Sequence, residues 1–127
     1  MTTETTLGAS VPTWRDGQEG GEYVTLVSQD DVTRLAELLA QPWADSGSID
    51  AAGGSLVVHL TEEWGYLDYY GDAGSLETDG DPASPEVFGE GGHRAGTGLP
   101  VADVIAALRE FVATGGQLPR SVPWRDI

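Results

Sequence analysis

Residues 99 to 127, LPVADVIAALREFVATGGQLPRSVPWRDI, decide the fold. Val101, Val104, Ile105, Leu108, Phe111 and Val112 recur at spacings of three and four, which places them along one face of an α-helix. An apolar stripe of that width needs a layer to cover it. Pro100 suits the first helical position, where its missing N–H would have no partner anyway, and Asp103 puts negative charge in the positive first turn. Gly115 and Gly116 stop the helix, because a left-handed residue beyond the last turn is best supplied by glycine. Gln117 to Ile127 follows with two prolines and Trp124, an ordered strap anchored by the tryptophan. Phe111 and Trp124 are expected in the core.

Working back from the helix, Trp64 to Tyr70 has the period of a β-strand, with Trp64, Tyr66, Asp68 and Tyr70 on one face and Leu67 and Tyr69 on the other. Leu56, Val58 and Leu60 alternate with Val57, His59 and Thr61, which predicts a half-buried strand pairing with the first through a hairpin at residues 61 to 65. Glu22 to Val27 reads as an earlier strand. Ser28 then offers an N-cap with Asp31 in the capping-box position, and Val32, Leu35, Leu38 and Leu39 make a short amphipathic helix closed by Pro42. Residues 45 to 54 and 71 to 84 read as loop, and Glu86 to Phe88 as a short strand. The order of elements predicts an α+β fold: an antiparallel sheet with two helices packed against it and the C-terminal helix followed by an ordered Pro/Trp tail.

The length, 127 residues, fits one domain. Residues 1 to 21 lack apolar periodicity and are expected to be a flexible N-terminal segment, with residues 22 to 127 forming the single domain. Trp14, inside that segment, either packs back onto the domain or is a free anchor, packing being the commoner fate and the one expected. No secretory signal is recognised in MTTETTLGAS, which has neither a basic start nor an apolar centre, and no apolar run is long enough to cross a bilayer. With no cysteine to suggest an oxidising compartment, the expected location is the cytoplasm.

Charge is the dominant compositional feature: 21 acidic against 6 basic residues, a net charge of -15, and no lysine. Such a chain repels nucleic acid and anionic membranes. The acidity either keeps the protein from aggregating or attracts a basic partner. Nine carboxylates fall between Glu62 and Glu90 with no arginine among them, namely Glu62, Glu63, Asp68, Asp72, Glu77, Asp79, Asp81, Glu86 and Glu90.

Catalytic and metal-binding patterns are scarce. His59 and His93 are the only histidines and do not form a ligand pair at helical spacing. Glu77, Asp79 and Asp81 imitate the start of a calcium loop, but Pro82 stands where the turn glycine belongs and no terminal glutamate follows at the required distance. Gly89, Gly91 and Gly92 lack the lysine and hydroxyl residue of a phosphate loop, and no serine occupies a G-x-S-x-G elbow. Adjacent Glu62 and Glu63 cannot face each other across a scissile bond. No enzyme activity, cofactor or metal is expected.

The pattern Pro100-Val101-Ala102-Asp103, Ala107-Leu108-Arg109-Glu110-Phe111, Thr114-Gly115-Gly116, Pro119 and Val122-Pro123-Trp124 resembles the C-terminal signature of the first-described class of bacterial polymorphic-toxin immunity proteins (Imm1-type). The likeness extends over Tyr23 to Trp124, and its last third is the specific part. The arginine-only, glycine- and alanine-rich usage is similar to that of high-GC actinobacterial genes. The resemblance implies a small protein encoded beside a toxin, commonly a zinc-dependent nucleic-acid cytidine deaminase, which it binds and blocks without a reaction of its own. A partner with a basic cleft for phosphates matches the negative charge read from composition.

Combining the acidic field with the aromatic strand face nominates Glu62, Glu63, Trp64, Tyr66, Asp68, Tyr70, Asp72 and Glu90 as partner-binding residues, since buried aromatic anchors dominate interface energies while rim charges set encounter rates. The alternative reading is an acidic adaptor or nucleic-acid mimic that binds a basic protein other than a toxin.

Overall fold

The computed structural model describes residues 7–88 and 92–127. Its elements in chain order are β1 (Leu7–Arg15), β2 (Gln18–Leu26), α1 (Gln29–Leu39), β3 (Gly47–Ala51), β4 (Gly54–Leu60), β5 (Trp64–Gly71), β6 (Gly74–Thr78), β7 (Leu99–Pro100), α2 (Val101–Ala113) and β8 (Trp124–Asp126). All strands join one antiparallel sheet in the order β2-β1-β3-β4-β5-β6-β8, with the two-residue β7 beside the start of β5. The fold is α+β, as the pattern of elements predicts.

Alternation along the strands sorts side chains onto two faces. The inner face carries Leu7, Ala9 and Val11 of β1, Ile49 of β3, Leu56, Val58 and Leu60 of β4, and Leu67 and Tyr69 of β5. Against it pack Val32, Leu35 and Leu39 of α1 with Val104, Ala107, Leu108 and Phe111 of α2, all buried. This is the core that the stripe on α2 requires. The two helices are also tied head to side: the Arg109 guanidinium donates to the Gln29 carbonyl (3.1 Å) and to Thr33 Oγ1 (3.1 Å).

The helix ends follow their sequence signals. At the start of α1 the Asp31 carboxylate accepts the backbone N–H groups of the N-cap Ser28 (3.0 Å) and of Val27 before it (2.8 Å), fixing the chain's entry into the helix. Pro100 stands one residue earlier than expected, as the cap residue, because Leu99 and Pro100 pair with Gly65 and Trp64 before the helix begins. After α2, Gly115 and Gly116 both have positive φ, and the Gly116 N–H donates to the Phe111 carbonyl (2.8 Å). A Cβ at Gly116 would lie 2.2 Å from the Cβ of Ala51, so backbone angle and space both demand glycine there. The Glu110 carboxylate, held below its ordinary range by the N–H groups of Arg120 and Ser121, then fastens the tail to α2.

Several segments depart from the sequence reading. Residues 7 to 21, expected to be flexible, form β1 and the first part of β2, a hairpin turning at Asp16 and Gly17, both with positive φ. β1 lies inside the sheet between β2 and β3, so its buried Leu7, Ala9 and Val11 are core residues. Residues 47–51 and 74–78, read as loop, are β3 and β6. Each offers a single large apolar side chain, Ile49 and Leu76, too little for a period of two to register in the sequence. The short strand expected at 86–88 is reduced to an isolated bridge between Val87 and His93. The tail is ordered as expected, and its end is β8, paired with β6 at the sheet edge. Phe111 is fully buried. Trp124 is half-buried against the core, with its indole N–H donating to the Pro119 carbonyl (2.7 Å).

Candidate partner-binding surface

The other face of the sheet is covered over β5 and β6 by residues 79–88 and 92–98. Main-chain bonds hold this cover down: the Asp81 N–H donates to the Gly98 carbonyl (2.8 Å), and the Asp79 N–H to the Pro123 carbonyl (3.0 Å). Thr78 Oγ1 donates to the Thr97 carbonyl (2.6 Å), and the Gly98 N–H to Ser84 Oγ (2.9 Å). Gly98 passes so close to Ser84 and Tyr66 that a Cβ would meet both within 3 Å.

Beneath the cover lie two residues expected on the binding face. Tyr66 is fully buried, stacks on His93 with ring centroids 5.3 Å apart, and donates its hydroxyl to the Pro85 carbonyl (2.7 Å). Burial pushes its phenol up from the ordinary value. Asp68 is buried too, with one oxygen 3.4 Å from His93 Nδ1 and the other accepting from the Tyr70 hydroxyl (3.4 Å). These two therefore belong to the interior in this fold. An alternating strand assigns a face, and only the later segment of chain determines whether that face is wet.

The remaining nominated residues form two groups. Glu62 and Glu63 sit exposed at the turn between β4 and β5, where the Trp64 N–H donates to Thr61 Oγ1 (2.9 Å) and the Thr61 N–H to the Trp64 carbonyl (2.8 Å). Half-buried Trp64 lines a groove there with Glu62, Glu63, Ala83 and Pro85. Tyr70 and Asp72 are exposed at the far end of β5. A strand rises about 3.3 Å per residue, which puts Trp64 and Tyr70 roughly 20 Å apart. The structure thus keeps the hairpin-turn group and the far-end group separate. Glu90 lies outside the described residues.

The acidic field is also redistributed. Glu77 is buried between Arg94 and Arg125, the latter at 2.8 Å. Desolvation raises the carboxyl of Glu77, but hydrogen bonds from both guanidinium groups outweigh it and hold the group below its ordinary value. Asp79 lies 3.7 Å from Arg125, and the Asp81 carboxylate accepts the Ala83 N–H (2.8 Å) in a turn. Arg15 pairs with Glu22, Arg34 with Asp31, and Arg109 reaches across the helices. Five of the six arginines are thus engaged within the chain, while Glu62, Glu63, Asp72 and Glu86 stand exposed.

His59 lies opposite Tyr66 across β4 and β5, with Nδ1 3.1 Å from Ser46 Oγ. Burial, then the proximity of His93, pushes its imidazole below the ordinary value despite the opposing pull of Asp45. His93 is buried, and neither of its ring nitrogens has a hydrogen-bond partner among the described residues. No group of three or more His, Cys, Asp or Glu residues among the described residues could hold a metal ion, and no helix there is long and apolar enough to cross a membrane.

Sequence reasoning missed the exposed rings on the other half of the sheet. Trp14 is 57% exposed and Tyr23 69%, so Trp14 does not pack away as expected. Trp14 alternates with core residues Val11 and Ala9 only if β1 is recognised as a strand, and the polar stretch that follows it hides that pattern.

The geometry is that of an acidic α+β scaffold in which five of the six arginines are engaged internally, with carboxylates and rings left outward. The chain belongs to the immunity protein Imm1 family, whose profile matches residues 20–126. No curated protein and no solved structure matches it. Membership implies a cognate toxin as partner and a role in binding it without catalysis.

Proposed function

We propose that this immunity protein neutralises a nucleic-acid cytidine deaminase toxin in the cytoplasm by occupying the basic groove through which that enzyme takes its substrate. The observation that carries this reading is the excess of exposed carboxylate: a net charge of -15 on a chain in which five of the six arginines are held by its own acids and carbonyls. A groove built for phosphates presents the complementary charge, and steering of this kind raises association rates by about ten- to a thousandfold at low salt. The deaminase target is the partner class implied by the sequence resemblance. Glu62, Glu63 and Trp64 at the β4–β5 turn form the contact we favour, with Trp64 as anchor and the glutamates as rim charge. Tyr70, Asp72 and Glu90 are secondary contacts in this reading.

The test is co-expression with the product of the neighbouring gene, followed by isolation of the complex and an assay of deamination on single-stranded DNA. A stable complex that abolishes deamination is expected. Glu62→Lys with Glu63→Lys should slow association about tenfold and flatten its salt dependence. Unchanged rates would remove the electrostatic part of the proposal, and a neighbouring product without deaminase activity would remove the target class.

A further inference from the structure

The tip of the β1–β2 hairpin and the turn after α1 enclose a cleft of about 560 Å³. Its walls are Pro12 and Trp14 on one side and Pro42 and Trp43 on the other, with Glu19 and Asp45 among its lining residues. Main-chain bonds hold the two walls together: the Trp14 N–H donates to the Trp43 carbonyl (2.8 Å) and the Asp45 N–H to the Pro12 carbonyl (2.9 Å). The cleft is therefore preformed, which lowers the ordering cost of filling it. Trp14 and Glu19 are register partners across the hairpin, so ring and carboxylate share one face.

Something on the molecule already shows what one of these rings accepts. The Arg15 guanidinium lies 3.5 Å from the centre of the Trp43 ring, steadied by Glu22 at 3.0 Å. Tryptophan is the best π partner for a cation, and a nearby carboxylate adds the counter-charge. Trp14, 57% exposed, offers the second indole of the cleft, with no cation stacked on it among the described residues. Trp14 and Glu19 stand outside the family match, which begins at residue 20, while Pro42 to Asp45 lie inside it.

We propose that this cleft is a binding site for a cationic side chain, arginine or lysine, presented by a basic partner protein. The indole of Trp14 takes the apolar stem and the cation, and Glu19 and Asp45 hold the charge. A partner attracted by the overall negative field would find here a place to fix one side chain in register. The site does not depend on the partner being a deaminase.

The experiment is a titration of ¹⁵N-labelled protein with N-acetyl-arginine amide, followed through the four tryptophan indole N–H signals. The Trp14 and Trp43 signals should shift saturably while those of Trp64 and Trp124 stay. The uncharged isostere N-acetyl-citrulline amide should bind about tenfold more weakly, one decade being the loss of one favourable charge contact. Glu19→Gln with Asp45→Asn should weaken the arginine amide by a similar factor. Asp103→Asn with Asp126→Asn, the same change of net charge on other elements, should leave it unaltered. Trp14→Leu, at an exposed position, should abolish the shift at Trp43. Equal binding of citrulline amide, tighter binding of an uncharged tetraproline peptide, or shifts spread over all four indoles would each overturn the proposal. Because no toxin is present, this outcome is independent of the co-expression result.

Discussion

The outer face of the sheet is closed over β5 and β6 and open over β2, β1 and β3, although one continuous hydrogen-bonded ladder carries both halves. Over the closed half, polar groups turn inward and satisfy one another: Glu77 with Arg94 and Arg125, Thr78 with Thr97, Tyr66 with Pro85. Over the open half, tyrosine and tryptophan turn outward beside small residues, and Tyr23 lies over Gly8 where a Cβ would collide with its ring. Both halves share the same helices on the inner face. The difference is that a long chain segment returns across one half and none of the described residues returns across the other. The closed half thereby buries its polar groups, whereas the open half and the hairpin turn leave rings and carboxylates exposed.

Tyr66→Ala strikes the closed half hardest. It removes a fully buried ring and its hydrogen bond, with an expected loss of about 4 kcal/mol in urea unfolding. A loss below about 1 kcal/mol would mean that residues 79–88 and 92–98 are not a packed layer. Glu77→Gln keeps the shape but weakens both arginine contacts, and about 2 kcal/mol should disappear because a charge-assisted pair is lost at a buried carboxylate.

Acid should find two weak points in sequence. His59 has a folded value below its ordinary 6.5, so the unfolded chain takes up the proton first. The stability that neutral His59 contributes is present above that value and falls as pH drops through it. His59→Gln should flatten the unfolding free energy between about pH 7 and pH 5. Glu77 has a folded value below its ordinary 4.5, so its contribution persists above that value and is lost only as pH falls through the lower, folded one. Glu77→Gln should erase this second decline and leave the first.

The smallest effects on folding belong to the open half. Trp14→Leu and Tyr23→Ala remove exposed rings and should alter unfolding free energy by no more than about 0.5 kcal/mol. A larger loss from either would dissolve the contrast between the halves.

Much of the inner layer was legible before any coordinates. Leu99 to Gly116 spells out a helix from stripe to stop, Ser28 and Asp31 mark the start of the other, and Leu56, Val58 and Leu60 declare the buried side of β4. These signals are local, since each depends on residues within a few positions of one another. β1, β3, β6 and β8 were illegible as strands for the opposite reason. Gly47–Ala51 or Trp124–Asp126 becomes a strand because neighbours distant in sequence supply the hydrogen-bond partners. The nominated surface divided the same way. Glu62 and Glu63 at a turn were safe to read as exposed, whereas Tyr66 and Asp68 looked outward by alternation and were buried by a segment more than a dozen residues later.

By itself the sequence determined the two helices, the core stripe, the excess of negative charge and the signature of an immunity protein, because these are set by residue type and short-range spacing. Tertiary structure alone decided which carboxylates remain available to a partner, which aromatic rings face water, and that Trp14 and Trp43 meet across one cleft. Exposure and cation pairing are properties of segments that touch in space, and the pairing of Glu77 with Arg94 and Arg125 exists only once the chain has closed on itself.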